Sequence, residues 1–371
     1  MGTKRDQKII FNAAVDRTEQ AMKEQQALYK ATKDKIDAKL AVLRQQADKG
    51  LIVLTNARAT ERLDKFILSI EQDVRELKEA EYAIVLSGYT DNYANTYYAM
   101  GKSLTDDVNE RILANDNFDY DLNYRKLNTA FVTKNYKDTQ FKANFGMTFP
   151  QRIKQEVTAL LASIRQSLTG LFNSDLSKSD VKTILLSADE VYNQSLNSAL
   201  RTTRTEVLTG HSGGIYDSTQ FAEASGMYGD YVWDATLDGR TRRDHARKDQ
   251  TRPNDDGFFV FPDGSKGTGP RDFTLSKSQR INCRCQLVYL PEGITPNSRG
   301  ERLANGTWAK TGGKKTWQEW SETLRGKRSI ERAAEYRRER AKELAKRRAE
   351  GKEPTKRPSI ARRFKELEEG Q

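Results

Sequence analysis

A chain of 371 residues is long enough for two or three domains, because single hydrophobic cores stop growing before that length. Apolar residues make up only 36% and charged residues 31%, and no run approaches the roughly eighteen apolar residues of a membrane span, so the composition predicts long exposed helices or burial gained from partners. The net charge of +11 is unevenly spread: residues 325–371 hold 17 Lys/Arg against 9 Asp/Glu, which attaches a basic segment suited to nucleic acid or an acidic protein surface to a near-neutral body.

Two cysteines two residues apart form no disulfide framework, and the opening Met-Gly-Thr-Lys-Arg-Asp lacks an apolar signal core. Asp6 stands where a myristoylation motif needs Ser or Thr. These features predict a chain made in a reducing cytoplasm.

The first proline is Pro150, and the residues before it are rich in Ala, Leu, Lys, Glu, Gln and Arg, so this half is predicted mostly helical. Residues 5–48 read as one or two long helices with a narrow apolar stripe, ending near Lys49-Gly50. From Arg58 to about Leu86, the spacing of Leu63, Ile67, Ile70, Val74 and Leu77 makes a heptad seam, which predicts a helical hairpin or a docking face. Residues 88–149 are rich in tyrosine and phenylalanine, which fill irregular cores and also favour interfaces. Gly101-Lys102-Ser103 ends like a phosphate loop, but Thr96 occupies the place of its upstream glycine and no apolar strand precedes it.

Two further helices are predicted at 151–173 and 178–209, the second stopping at Gly210. From Tyr231 the texture changes. Short apolar runs at Tyr231–Trp233, Phe258–Phe261 and Gln286–Leu290, separated by Gly, Pro, Asp and Asn, read as strands joined by turns. Residues from Pro291 to Gly313 read as a linker, and Trp308, Trp317 and Trp320 offer anchors onto a neighbour. Residues 329–350 read as a helix with little apolar face and no hydrophobic reason to fold back on the body.

The chemistry of the chain is concentrated between Tyr231 and Tyr289, which holds His245, Cys283 and Cys285. On an extended segment the two cysteines share a face, with Asn282, Arg284 and Gln286 on the other. Two thiolates and an imidazole are ligands that zinc prefers, with Asp238, Asp244 or His211 as candidates for a fourth. The alternative is a pair of buried thiols beside a hydrogen-bonded histidine. A third reading makes His245 a general acid or base, with Arg240, Arg242, Arg243 or Arg284 stabilising a phosphodiester transition state.

The order Thr205-Glu206, then Trp233, Asp238, Arg240-Thr241 and His245, then a Gly-rich passage with Phe258 and Pro270, then Asn282-Cys283-Arg284-Cys285, resembles the Mu F-like minor head proteins of tailed bacteriophages. The resemblance covers about residues 200–290 and implies a component of the virion head at the portal vertex, made in the host cytoplasm, with portal and capsid proteins and packaged double-stranded DNA as partners. Some members of the family carry cysteines where this chain has Arg242 and His245; Arg242 cannot ligate a metal, so zinc remains only a possible cofactor here. The comparison of this domain with small nuclease folds keeps a nuclease-like alternative open by analogy.

Taken together, the expectation is a mainly α chain with a small α+β domain: an elongated helical region over 1–199, the motif domain at 200–292, a linker with tryptophan anchors at 293–328, and an extended basic tail at 329–371. No catalytic residue is expected. Glu206, Trp233, Asp238, Arg240, His245, Asn282 and Arg284 are expected to hold the motif domain together, with His245, Cys283 and Cys285 as candidate metal ligands. Residues 325–363, through Arg337, Arg338, Arg340, Arg347, Arg348, Arg362 and Arg363, are expected to face DNA or a partner in a structural minor head protein present in several copies. A cytoplasmic DNA-binding module is a further alternative.

Overall fold

The computed structural model describes residues 3–48, 56–114, 126–171, 178–224, 226–291, 298–303, 308–312 and 315–349, side chains being described for most of these. In chain order the elements are α1 (Thr3–Asp48), α2 (Asn56–Ala114), α3 (Thr129–Asn135), a π-helical turn (Tyr136–Gln140), α4 (Phe141–Phe145), α5 (Phe149–Leu168) and α6 (Lys178–Ala224). There follow β1 (Gly229–Asp234), α7 (Arg243–Arg247), β2 (Phe259–Val260), β3 (Lys266–Gly267), α8 (Lys277–Arg280), β4 (Gln286–Pro291), β5 (Ser298–Arg302), β6 (Trp308–Gly312), α9 (Trp317–Glu322) and α10 (Leu324–Ala349). The fold is mainly α with a small α+β region, and its described strands pair only as β1 with β4, β2 with β3 and β5 with β6, all antiparallel.

The described residues form two compact units. One comprises Gln20–Leu86 and Lys134–Thr203; the other comprises residues up to Glu19, Ser87–Thr133, and the described chain from Arg204 onward.

In the first unit the heptad residues Leu63, Ile70, Val74 and Leu77 are buried with Tyr29, Ile36 and Leu40 of α1, Val157, Leu160, Ile164 and Leu168 of α5, and Tyr192 and Ala199 of α6. The 3- and 4-residue spacing therefore marks an internal seam among helices of the same chain. Helix α5 begins with a reciprocal cap between Thr148 and Gln151, with Pro150 in the first turn where its missing N–H costs nothing. Inside this unit Lys78 is buried, its Nζ lying 2.7 Å from Glu81, 3.3 Å from Glu156 and 2.8 Å from the Tyr29 hydroxyl. A charge removed from water is tolerable only with partners of this kind.

In the second unit, the helix predicted to stop at Gly210 runs on to Ala224. The glycines serve close approach here. A Cβ on Gly210 would lie 2.3 Å from the Tyr89 carbonyl oxygen, and one on Gly214 would lie 2.5 Å from the Tyr93 carbonyl oxygen, so α2 and α6 touch backbone to backbone. Gly101-Lys102-Ser103 lies within α2 and forms no loop. Of the aromatic residues between 88 and 149, Tyr89, Tyr93, Tyr97, Tyr136 and Phe141 are buried in their units, whereas Tyr98 and Phe131 are exposed. Phe118, Tyr120 and Tyr124 lie outside the described residues, as does the helix end expected at Lys49-Gly50.

The core of the second unit gathers Ile10 of α1, Met100 and Leu104 of α2, Ile215 and Ala222 of α6, and Trp233, Phe259, Phe261, Leu275, Cys283, Cys285, Leu287 and Tyr289. The outer edge of β4 is closed by a side chain: the Gln7 amide donates to the Tyr289 carbonyl at 2.6 Å and accepts from the Tyr289 N–H at 2.9 Å, replacing the next strand.

The stretch expected to be a linker contains the β5–β6 hairpin, α9 and the start of α10. Trp320 is buried within its own chain, and the Trp317 indole donates to the Asp238 carbonyl. These anchors thus hold the body of the same molecule; the side chain of Trp308 lies outside the described residues. The basic helix also has a seat on the body, which its sparse apolar face did not predict. A Cβ on Gly239 would lie 2.3 Å from the Ser329 carbonyl oxygen, and the Gly239 N–H donates to the Ser329 hydroxyl.

Gly210→Ala is expected to lower the melting temperature, by an overpacking cost of about 1–3 kcal/mol, although alanine is otherwise the better helix former by about 1 kcal/mol. Thermal unfolding followed by circular dichroism reads the sign.

Candidate functional site

The motif residues come together where α6, β1, α7, α8 and the start of β4 meet. Strand β1 pairs with β4 in the register Trp233↔Leu287 and Asp234↔Gln286, which brings the turn after β1 beside Cys283–Cys285. In that turn Asp238 is buried and receives both nitrogens of the Arg284 guanidinium, one at 2.9 Å from Oδ1 and the other on Oδ2. The Arg240 N–H adds a bond of 2.9 Å to Oδ1. Burial opposes the charge on Asp238, but Arg284 and Arg240 overcome it and hold the carboxyl at about 2, below its ordinary 3.8. Thr241 donates to the Thr236 carbonyl, and Thr236 donates to the Arg284 carbonyl, closing the turn on the same arginine.

His245 sits on the short helix α7 with 1% of its surface exposed, its ring 5.1 Å from Trp233 and 5.4 Å from Phe261. Its two nitrogens have different surroundings. Nε2 lies 3.1 Å from Gln279 Oε1, while Nδ1 lies 3.3 Å from Cys285 Sγ and 3.5 Å from Cys283 Sγ. Gln279 is oriented by its own amide, whose Nε2 donates to the carboxylates of Asp244 and Asp263, each at 3.2 Å. Carboxylates only accept, so Gln279 Oε1 must face the ring and accept from Nε2–H. In the neutral ring this leaves the Nδ1 lone pair pointing between two sulfurs.

Cys283 and Cys285 precede β4 and share one face while Arg284 points to Asp238 on the other, the alternation expected of an extended segment. Burial opposes ionisation of both thiols. For Cys283 the Cys285 S–H, His245 and Arg271 outweigh it and hold that thiol well below its usual range, whereas burial and the neighbouring Cys283 charge push Cys285 well above. Asn282 enters the turn at φ 58°, a left-handed conformation that asparagine tolerates, and its N–H donates to the Thr205 hydroxyl at 3.1 Å. Glu206, the next residue on α6, is buried.

Arg271 and Asp249 carried no recognisable sequence signal, and Arg242, read as a candidate phosphodiester contact, binds the main chain instead. Arg271 is fully buried in a left-handed conformation, φ 71°, and its guanidinium donates to the carbonyls of Cys283 and Cys285 at 3.3 and 2.6 Å and to the Ser212 hydroxyl at 2.7 Å. Arg242 donates to the carbonyls of Gln279 and Ile281 and so holds the turn that presents the cysteines. Asp249 accepts from the Ala235 N–H at 2.8 Å and from the Trp317 N–H at the first turn of α9. The proposed fourth ligands are engaged elsewhere: Asp238 with Arg284, Asp244 with Gln279, and His211 with the Thr96 hydroxyl at 2.9 Å. Burial, then Arg271 and Arg17, hold His211 well below its usual pKa. Among the described residues the potential metal-ligand cluster is His245, Cys283 and Cys285, with ligand atoms within 4.8 Å of one another.

Of the basic residues expected to face DNA or a partner, Arg337 and Arg338 are exposed and Arg340 is half-buried on α10. Arg347 and Arg348 lie in the same helix, their side chains outside the described residues, as are Arg362 and Arg363 altogether. No described helix is long and apolar enough to cross a membrane.

The depressed pKa of Asp238 links its pairing to pH. A carboxyl lower in the folded than in the unfolded state contributes stability above the unfolded value and loses it as pH falls through the folded one. Urea unfolding between pH 5 and pH 2 is therefore expected to cost the native chain about 2 kcal/mol more than it costs Asp238→Asn. At pH 7, Asp238→Ala should lose about 3–5 kcal/mol, because it strands a largely buried arginine.

No family model and no solved structure matches the chain. Over 117 residues, 30% of this chain and 36% of the relative, it is 35% identical to the Minor head protein GP7 of Bacillus phage SPP1. Over 291 residues, 75% of this chain and 56% of the relative, it is 27% identical to the NAD(+)--arginine ADP-ribosyltransferase EFV of Enterococcus faecalis. The matches span about a third of the first relative and just over half of the second, so part of this chain is similar to a phage minor head protein and a larger part is more distantly similar to a section of an enzyme.

Proposed function

We propose that the chain is a structural minor head protein of a tailed phage that docks near the portal vertex during head assembly and is carried in the virion in several copies. The observation that carries this reading is the use made of the motif residues. Asp238 and Arg284 bind each other, Arg242 and Arg271 bind main-chain carbonyls, and His245 is packed beneath Trp233 and Phe261 against Gln279. Such groups stiffen a domain; a general base must instead reach a proton on its substrate. The partial similarity to a minor head protein supports the same reading.

The similarity to an ADP-ribosyltransferase favours a second reading, in which the chain itself modifies arginine with NAD as donor. Because 44% of that enzyme has no counterpart in the match, we assign its transferase chemistry to the unmatched part and its shared part to a head-protein-like body. The basic segment from 325 to 363 is proposed to contact packaged DNA or an acidic capsid surface, with binding that weakens as salt rises.

Quantitative mass spectrometry of purified particles is expected to find a low, fixed copy number relative to the major capsid protein, and absence from particles contradicts the proposal. In parallel, purified chain incubated with labelled NAD and an arginine-rich acceptor is expected to transfer no label. Transfer above a heat-killed control would establish the enzymatic reading.

A further inference from the structure

At the His245–Cys283–Cys285 cluster the Nδ1 lone pair faces two sulfurs at 3.3 and 3.5 Å, so three ligand atoms converge on one point. A buried charge lies beside them. Arg271 is fully buried against the main chain of both cysteines, and among the described residues no carboxylate lies within ion-pairing distance of it. A buried cation without an anion is costly, and the two sulfurs are the groups beside it that can carry negative charge.

A cation at the centre of the three ligand atoms would take the Nδ1 lone pair and both sulfurs as thiolates, with release of two protons. Two thiolates and a monovalent cation leave one net negative charge beside Arg271, and with a divalent cation the cluster is neutral. Bonds of about 2.3 Å to sulfur and about 2.0 Å to nitrogen in a tetrahedral frame put nitrogen and sulfur about 3.5 Å apart, close to the separations seen. The outer nitrogen of the ring already has the support that a metal-bound histidine needs, since Gln279 holds Nε2–H and is itself held by Asp244 and Asp263. Arg242, which binds the carbonyls of Gln279 and Ile281, and the left-handed Asn282 set the turn on which the cysteines are presented.

We propose that His245 Nδ1, Cys283 Sγ and Cys285 Sγ bind one thiophilic d10 cation, either zinc(II) completed by a water or copper(I) in a three-coordinate site, as a structural staple of this domain. Soft thiolate donors select these ions over magnesium, calcium or manganese. Loading would release the thiol protons and join the turn before β4 to α7.

The test uses the full chain, expressed without a metal-affinity tag in medium containing zinc and copper and purified under reducing conditions. Elemental analysis by mass spectrometry is expected to find about one equivalent of zinc or copper per chain, the element found naming the ion. Cys283→Ser/Cys285→Ser is expected to lower that content at least tenfold. Independently, cobalt(II) added to reduced, metal-stripped wild-type chain should produce a thiolate-to-cobalt charge-transfer band that saturates at one equivalent. Wild-type chain that contains less than about a tenth of an equivalent and gives no such band overturns the proposal, as does metal retained at the same level by the double variant. Because the wild-type chain decides the first point, a variant that fails to fold does not shield the proposal.

Discussion

The domain from β1 to β4 depends on one ion pair. Asp238 lies in the turn that follows β1, Arg284 lies between the two cysteines, and their double contact fixes the separation of those segments. Other contacts use that fixed geometry. Thr236 and Thr241 close the turn on Arg284, the Trp317 indole binds the Asp238 carbonyl, and Gly239 offers its bare backbone to the first turns of α10. Withdrawing two charges from water costs several kcal/mol, and the remaining hydrogen bonds to Asp238 are what make the pair tolerable. A pair of this kind is better suited to specifying one arrangement than to adding net stability.

The chain has a lean apolar composition and builds its interior partly from polar groups. Lys78 is buried among Glu81, Glu156 and Tyr29 in one unit, and Arg271 is buried among carbonyls in the other. Close backbone contact at Gly210 and Gly214 supplies packing where large side chains are few. The expectation that burial must come from partners is therefore only part of the account. Of the tyrosines and phenylalanines between 88 and 149, Tyr89, Tyr93, Tyr97, Tyr136 and Phe141 fill the interiors of the units, the first of the two uses expected of them.

Local periodicity made much of the fold legible. The heptad spacing of Leu63, Ile70, Val74 and Leu77 marked a buried seam, and the period-2 logic at Cys283-Arg284-Cys285 placed the sulfurs on one face and the arginine on the other. The errors arose where one residue type serves two purposes. Gly210 reads as a helix stop because glycine ends many helices, yet here it permits contact with Tyr89, which no local rule contains. Arg271 is indistinguishable in sequence from a surface arginine, and Gln279 from any polar residue in a short helix. Their roles depend on carbonyls and an imidazole brought together by the chain's return to β4. Gln7 closing the edge of β4 across 282 positions is the extreme case.

If the motif residues hold the fold by binding one another, Asp238 and Arg284 are energetically coupled. A double-mutant cycle on Asp238→Asn and Arg284→Met, read by urea unfolding at neutral pH, measures that coupling. The double variant is expected to be more stable than the sum of the single losses implies, with a coupling of about 2 kcal/mol or more, because each single change strands a buried polar partner. Losses that add to within about 0.5 kcal/mol would contradict it and leave the pair as a surface-like contact.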